Sequence, residues 1–317
     1  MKVKNKVYLA SFICIGAGAV LLILGLLLGG RPGFYIDKSG IHTANESGAD
    51  SPYIQEKMKL DEFSTIDITI QYADLEIIPS DGYYIEYRLD GSEPKPALEV
   101  KNQKLSFKER TAGGFIGFNF FSIGDIDAAL SHYYVTLYVP AEKYFTKIRL
   151  ENNDGDIRAE QLKAETMEIT NDYGQVDLGN VQGEKLKINM DDGTLKIKSL
   201  DAAAAILYNE YGKCELGKVK SQRLEAELDD GDFSADRCSA KAIRIDNEYG
   251  NVRLGLLGKT ETYEFELETE YGNIELPGYP EMSVGGNDEK RIRTNNSAKN
   301  KIVVNCDDGD IMITQAE

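Results

Sequence analysis

Tryptophan is absent from the 317 residues, histidine occurs twice, and cysteine and proline number only four and eight. Each shortage removes a class of function. His42 and His132 lie in unrelated contexts, so the chain offers no repeated His–acid pairing for acid–base or nucleophilic catalysis. Cys214, Cys238 and Cys306 are odd in number and irregular in spacing, which is neither a disulfide framework nor a zinc pattern. Basic side chains are also outnumbered, 36 against 53 acidic, for a net charge of −17. Residues 1–30 hold three of the lysines and no acid, so the remainder carries 33 against 53, or −20. That sign excludes nucleic acid, whose phosphates need a basic face, and opposes docking to anionic lipid. Beyond residue 30 no stretch has a helical period.

One long apolar run is present. Residues 7–30, "VYLASFICIGAGAVLLILGLLLGG", contain no charge. As a helix they span about 36 Å at 1.5 Å per residue, enough to cross a hydrocarbon layer of about 30 Å. Lys2, Lys4 and Lys6 precede the run and favour a cytoplasmic N-terminus. The expected organisation is a cytoplasmic 1–6, a transmembrane helix 7–30 and an extracellular remainder anchored in the cell membrane. A cleaved signal peptide is the rival reading, but the run is long for one and no A-x-A site follows. Cys14 is expected to be a buried thiol. Gly25 and Gly29 form a G-x-x-x-G pair of the kind that lets two helices approach.

Residues 31–56 have the polar composition of a linker. Residues 57–150 read as an N-terminal β region or cap, with strands in "STIDITIQYADLEIIP", "YYIEYRL" and "YYVTLYVP". Within it, 113–125 gathers Phe115, Phe118, Phe120 and Phe121 among glycines. It reads as a strand or cap over the end of the domain, with an exposed apolar contact loop as the alternative.

From 151 to 317 the chain repeats itself. Gly155, Gly174, Gly193, Gly212, Gly231 and Gly250 are spaced by 19, Gly272 follows after 22, and Gly309 after a further 37. Counting from each glycine, positions −7, −5, +2, +4 and usually +7 are apolar, as in Leu186, Ile188, Leu195, Ile197 and Leu200. This describes two period-2 strands around a glycine bend, with a second turn before the next copy. No copy has the area to fold alone, so stacking is required. The expected fold is all-β, a β-solenoid of roughly 19-residue coils behind the transmembrane α-helix. Cys214 and Cys306 stand where other copies carry Val, Leu or Met, and so pack as small hydrophobes.

The recurrent "I-x-N-[DE]-Y-G-x-V-x-L" and "I-x-M-D-D-G-x-L-x-I" units behind one membrane helix resemble the bacterial putative-adhesin family of β-strand-repeat proteins, a Gram-positive envelope type. The likeness covers roughly residues 60–315. It implies a β-solenoid at the cell envelope, and some members of that family accompany envelope-stress or sensor systems. It supplies no active-site residues.

Position −2 holds Asp172, Asp191, Glu210, Asp229, Glu248, Glu270 and Asp307, a ladder of acids pointing outward. Neighbouring charges at about 4.8 Å repel by about 0.9 kcal/mol in water, which calcium could relieve through oxygen ligands; the plain alternative is a solvated acidic edge that discourages strand pairing. No other cofactor is expected. Position +3 alternates in sign through Arg158, Asp177, Lys196 and Glu215, which pairs neighbouring coils. Position −1 alternates Tyr173, Asp192, Tyr211, Asp230 and Tyr249, while −3 alternates Asn171, Met190, Asn209, Leu228 and Asn247. By alternation the two positions share one strand face, so the true unit is 38 residues, a pair of coils whose side chains interlock. The expected function is a non-enzymatic envelope binding or scaffolding module. Its candidate partners are the membrane through residues 7–30, a cell-wall polymer, a cationic envelope peptide or a membrane sensor protein, and no nucleic acid. A regulatory accessory to an envelope-stress sensor is the alternative, and a glycan-cleaving enzyme the second alternative.

Overall fold

The computed structural model describes residues 52–91, 93–110, 132–279, 289–294 and 296–316, and the backbone alone at 34–37, 40–43, 116–118 and 282–283. The expected membrane helix 7–30 lies outside these residues. Two units are distinguished, one of residues 1–52, 90–94 and 111–131, the other holding the rest. In the first, Phe34–Asp37 pairs antiparallel with Gly40–Thr43 and with Ile116–Phe118. Strands thus occur within the stretch read as linker and within the Phe-rich segment, whose remainder lies outside the described residues.

The second unit is an all-β solenoid built on one 21-stranded sheet. Long parallel strands run from one glycine to the next, such as Ile157–Tyr173, Val176–Asp192, Leu195–Tyr211 and Cys214–Asp230. Each residue pairs with the one 19 positions later, as Ile157 with Val176 and Val176 with Leu195. Side-chain alternation explains the coil's path. In the first full coil Ile157, Ala159, Leu162, Ala164, Met167, Ile169 and Asn171 are buried. The inward set steps by two, then by three at 159–162 and 164–167. A step of three reverses the phase of a strand, so each marks a corner. With the glycine, the coil has three corners, one more than the sequence reading.

The 57–150 strands belong to the same sheet. Thr65–Ile70 pairs parallel with Phe145–Asp154, and Asp74–Ser80 pairs parallel with Tyr134–Pro140 and with the start of Ile157–Tyr173. Lys104–Lys108 lies outside Thr65–Ile70 and closes that end with its hairpin partner Ala97–Lys101. The half-stacked first corner is held by Glu109. Its Oε2 accepts from the Gln71 backbone N–H at 2.6 Å and from that of Tyr72 at 3.3 Å, supplying what a preceding coil would have given.

The far end departs from sequence order. Asn300–Asp308 lies between Ala242–Tyr249 and Tyr263–Tyr271, parallel to both. The Gly309 coil therefore inserts between the Gly250 and Gly272 coils rather than following them. Lys290–Arg293 then covers Tyr263–Tyr271 from outside in antiparallel fashion. Such covering of terminal strands is what solenoids require to avoid edge pairing.

The shared-face expectation for −1 and −3 is corrected. Asn171, Asn209 and Asn247 are buried to 3% exposure or less, whereas Tyr173, Tyr211 and Tyr249 are 59%, 54% and 56% exposed. The glycine, with φ of +130° to +154° through the column from Gly155 to Gly250, turns the backbone out of the strand at −1 and carries that side chain outside. The −3 side chains instead tie the corners together. Asn209 Nδ2 donates to Gly193 O at 3.3 Å, and Asn247 Nδ2 to Gly231 O at 3.1 Å and Gly250 O at 2.9 Å. Asn171 Nδ2, with its amide turned to suit both acceptors, donates to Gly155 O and Asn152 O at 3.1 Å. Each amide thus caps the glycine carbonyl of the coil before it, at Gly155, Gly193 and Gly231, while the apolar Met190 and Leu228 occupy the alternate coils. The 38-residue unit stands, but its basis is hydrogen bonding inside the corner. A second sign of it went unread in the sequence: Gly179, Gly217 and Gly255 recur at +5. A Cβ at any of the three would lie 2.0–2.5 Å from the carbonyl oxygen of the preceding coil.

Candidate functional site: the glycine corner

The exposed −1 residues form one straight column. Strand register places Asp154 beside Tyr173, then Asp192, Tyr211, Asp230, Tyr249, Asp308 and Tyr271. At the other end Asn152 pairs with Ile70, which puts Tyr72 beside Asp154. Nine rungs therefore alternate tyrosine and aspartate without a break, from Tyr72 to Tyr271. The inserted Gly309 coil is what keeps Tyr249 off Tyr271. Tyr72 and Tyr271 are 57% and 62% exposed, matching the interior tyrosines. The sequence reading missed Tyr72 because Ala73 replaces the glycine; the signal was the "QYADL" pattern, with Leu75 buried at +2.

The predicted acidic ladder is assembled alongside. Its rungs run Asp172, Asp191, Glu210, Asp229, Glu248, Asp307 and Glu270, in the strand order just given. All are exposed except Asp172, which is half-buried. Burial first, then the charges of Asp191 and Glu151, raise the Asp172 carboxyl above its ordinary pKa. Among the described residues, no group of three or more His, Cys, Asp or Glu side chains could hold a metal ion. No Lys or Arg of the described residues forms an ion pair with an acid of either column. Elsewhere the surface is cross-linked: Lys196 with Glu215 at 3.5 Å, Lys220 with Asp201 at 2.9 Å, Arg244 with Asp246 at 2.7 Å. The first of these is the expected +3 contact.

A groove of about 560 Å³ runs along the corner. Its floor is Gly212, Gly231 and Gly250; Tyr211, Tyr249, Asp192, Asp230 and Asp308 rise on one side, Lys213 and Asp232 on the other. Lys213 and Asp232 approach each other at 3.9 Å. The floor's N–H groups are already committed: Gly212 N–H donates to Asp230 O, Gly231 N–H to Tyr249 O and Gly250 N–H to Asp308 O, at 2.7–2.8 Å. Anything in the groove meets side chains rather than open strand edges. Of the three cysteines only Cys306 touches the corner, its Sγ donating to Gly250 O at 3.2 Å from beneath. All are free and buried, and burial raises each thiol, Cys238 to about 11 and Cys306 to about 12. His132 sits apart at the N-terminal end, its Nε2 3.6 Å from Asp74 Oδ2.

These features define an end-covered β-solenoid repeat protein with an aromatic–acidic corner. The chain belongs to the Toastrack DUF4097 family, which matches residues 63–314. A putative adhesin from Bacteroides fragilis is similar in structure at 15% identity, over 83% of this chain and 98% of that one, with a TM-score of 0.46. A putative lipid binding protein from Parabacteroides distasonis is 11% identical over 86% and 98%, with a TM-score of 0.40. A putative adhesin from Parabacteroides merdae is 14% identical over 66% and 90%, with a TM-score of 0.37. No curated protein sequence matches the chain.

Proposed function

We propose that the chain is a membrane-anchored binding or scaffolding module of the cell envelope, without catalytic activity, and that the glycine corner is its binding face. Residues 7–30 anchor it, with the N-terminus in the cytoplasm and the solenoid outside. The observation that carries this reading is the nine-rung column, in which large exposed tyrosines alternate coil by coil with aspartates that form no ion pair among the described residues. Exposed tyrosines clustered on one surface are a signature of interaction faces rather than of packing. Uniform recurrence also speaks against an enzyme, which needs a locally distinct acid–base pair. The test is cross-linking in cells that express the full chain, comparing wild type with the triple variant Tyr173→Ser, Tyr211→Ser, Tyr249→Ser. A partner recovered by the wild type and lost in the variant is the expected result. Recovery of nothing above background, or of the same partner by both, overturns it.

A further inference from the structure

The groove's two-coil period says what kind of chain fits it. Coils repeat every 4.8 Å or so, the parallel strand spacing, so successive tyrosines lie about 9.6 Å apart with one aspartate between. A polypeptide in polyproline II conformation advances about 3.1 Å per residue with three residues per turn, so every third side chain returns to the same face after nearly the same distance. The tyrosine ring offers the negative face of its quadrupole to a cation, and the intervening carboxylate completes a charge-assisted contact. No cation of the described residues occupies these positions, and the one lysine on the groove, Lys213, is turned to Asp232.

We propose that the glycine corner binds a cationic polypeptide in polyproline II conformation, with one Lys or Arg side chain for every two coils, seated between consecutive tyrosines above the aspartate they flank. This rests on the corner being the binding face and adds the class of ligand and its spacing. Recognition is by side chains in periodic register, since the corner's N–H groups are spent on the neighbouring coils. A cationic residue at every third position meets Asp154, Asp192, Asp230 and Asp308 in turn, and contacts at successive rungs act together. A chain with its cations in one block cannot reach more than one or two of them in the same pose, although the −20 field attracts it equally.

The experiment uses the full-length chain in detergent micelles and fluorescence anisotropy of labelled synthetic peptides. One peptide repeats Lys-Ser-Gly; its isomer has identical composition with the lysines in a single block. The periodic peptide is expected to bind about tenfold tighter or better, and Tyr211→Ser with Tyr249→Ser, or Asp230→Asn, should abolish that preference. Tyr208→Ser, on a different face, should leave it intact, and unchanged melting midpoints verify that the variants are folded. Equal affinity for both isomers, or a preference that survives the tyrosine substitutions, overturns the proposal and leaves only a diffuse acidic field. An oligomer of β-linked N-acetylglucosamine that binds in place of either peptide, and is lost in the same variants, overturns the polypeptide and keeps the corner as binding face. If no peptide binds while a cross-linked partner is still recovered in a Tyr-dependent way, the spacing argument alone fails. If neither is seen, the binding face fails with it.

Discussion

A methyl group at Gly231 should damage this fold far more than one at Gly258, although both glycines have positive φ. Gly231 stands at +154°, and an added Cβ would lie 1.6 Å from Gly212 O and 2.6 Å from its carbonyl carbon. Gly258 stands at +112°, with nothing within 4 Å of an added Cβ. The backbone cost of a non-glycine residue in these regions is about 1–3 kcal/mol and applies to both. At Gly231 alone the neighbouring coil must also move. That movement breaks the 2.7 Å bonds from Gly212 N–H to Asp230 O and from Gly231 N–H to Tyr249 O, each worth about 1 kcal/mol net and more if left buried and unpaired. Gly231→Ala should therefore cost about 2–4 kcal/mol beyond Gly258→Ala. Urea unfolding of the two variants measures the difference, with amide exchange in the Gly212 and Gly250 coils as a local check, because solenoids need not unfold in one step. Equal losses would mean that the corners are set by backbone conformation alone and that close stacking does not matter.

Four further outcomes follow from the same geometry. Asn247→Asp places a carboxyl against Gly231 O and Gly250 O, which raises its folded pKa above the unfolded value. The variant should lose about 3 kcal/mol or more at neutral pH, and the deficit should shrink as pH falls toward the unfolded value near 4; a pH-independent deficit would contradict burial as its cause. The thiols of Cys214, Cys238 and Cys306 should resist alkylation at mildly alkaline pH until denaturant is added, because burial keeps them protonated. Exchanging Tyr211 and Asp230 should shift the melting midpoint little, since both side chains are exposed, while impairing partner recovery; a large stability loss would restore the interlock that burial argues against. Melts with calcium and with chelator should coincide, because no described acids converge on a shared ligand position; a calcium-dependent rise would require ligation between rungs.

What the sequence showed well were features with a fixed period. Apolar residues at −7, −5, +2 and +4 identified the strands, and the 19-residue glycine spacing identified the stack, because parallel in-register pairing copies each side-chain environment onto the next coil. Two-step alternation failed at one place, the −1 position, where a glycine with positive φ follows and the strand ends. Asn171 and Tyr173 looked like neighbours on one face, yet one caps a buried carbonyl and the other stands in solvent. The first corner was hidden by Ala73, and its support by Glu109 comes from a strand on the far side of Thr65–Ile70, a contact without any local pattern. The candidate site was half legible: the −2 acids and the interior tyrosines were found, the groove was not, because it forms only when the glycine bends of separate coils stack into one column.

The insertion of the last coil was legible after all, through a rule rather than a period. Intervals of 22 and 37 do not reveal where Gly272 and Gly309 stack. Stacking in chain order would set Tyr249 against Tyr271 and break the alternation that every earlier coil obeys. Placing Asp308 between them restores it, and the −3 column agrees. Thr269 Oγ1 donates to Gly309 O at 2.9 Å, while Cys306 in the inserted coil leans on Gly250 O, so polar and apolar −3 residues keep their turns. Tyr263–Tyr271 therefore sits one rung beyond the Gly250 coil, and Asn300–Asp308 fills the gap between them. The final coil then has partners on both sides and locks the hairpin of Tyr263–Tyr271 with Lys290–Arg293 into place. Deleting residues from 300 onward should expose both the Gly250 and the Gly272 coils together, so amide exchange should rise in both, whereas simple end-on stacking would spare the Gly250 coil.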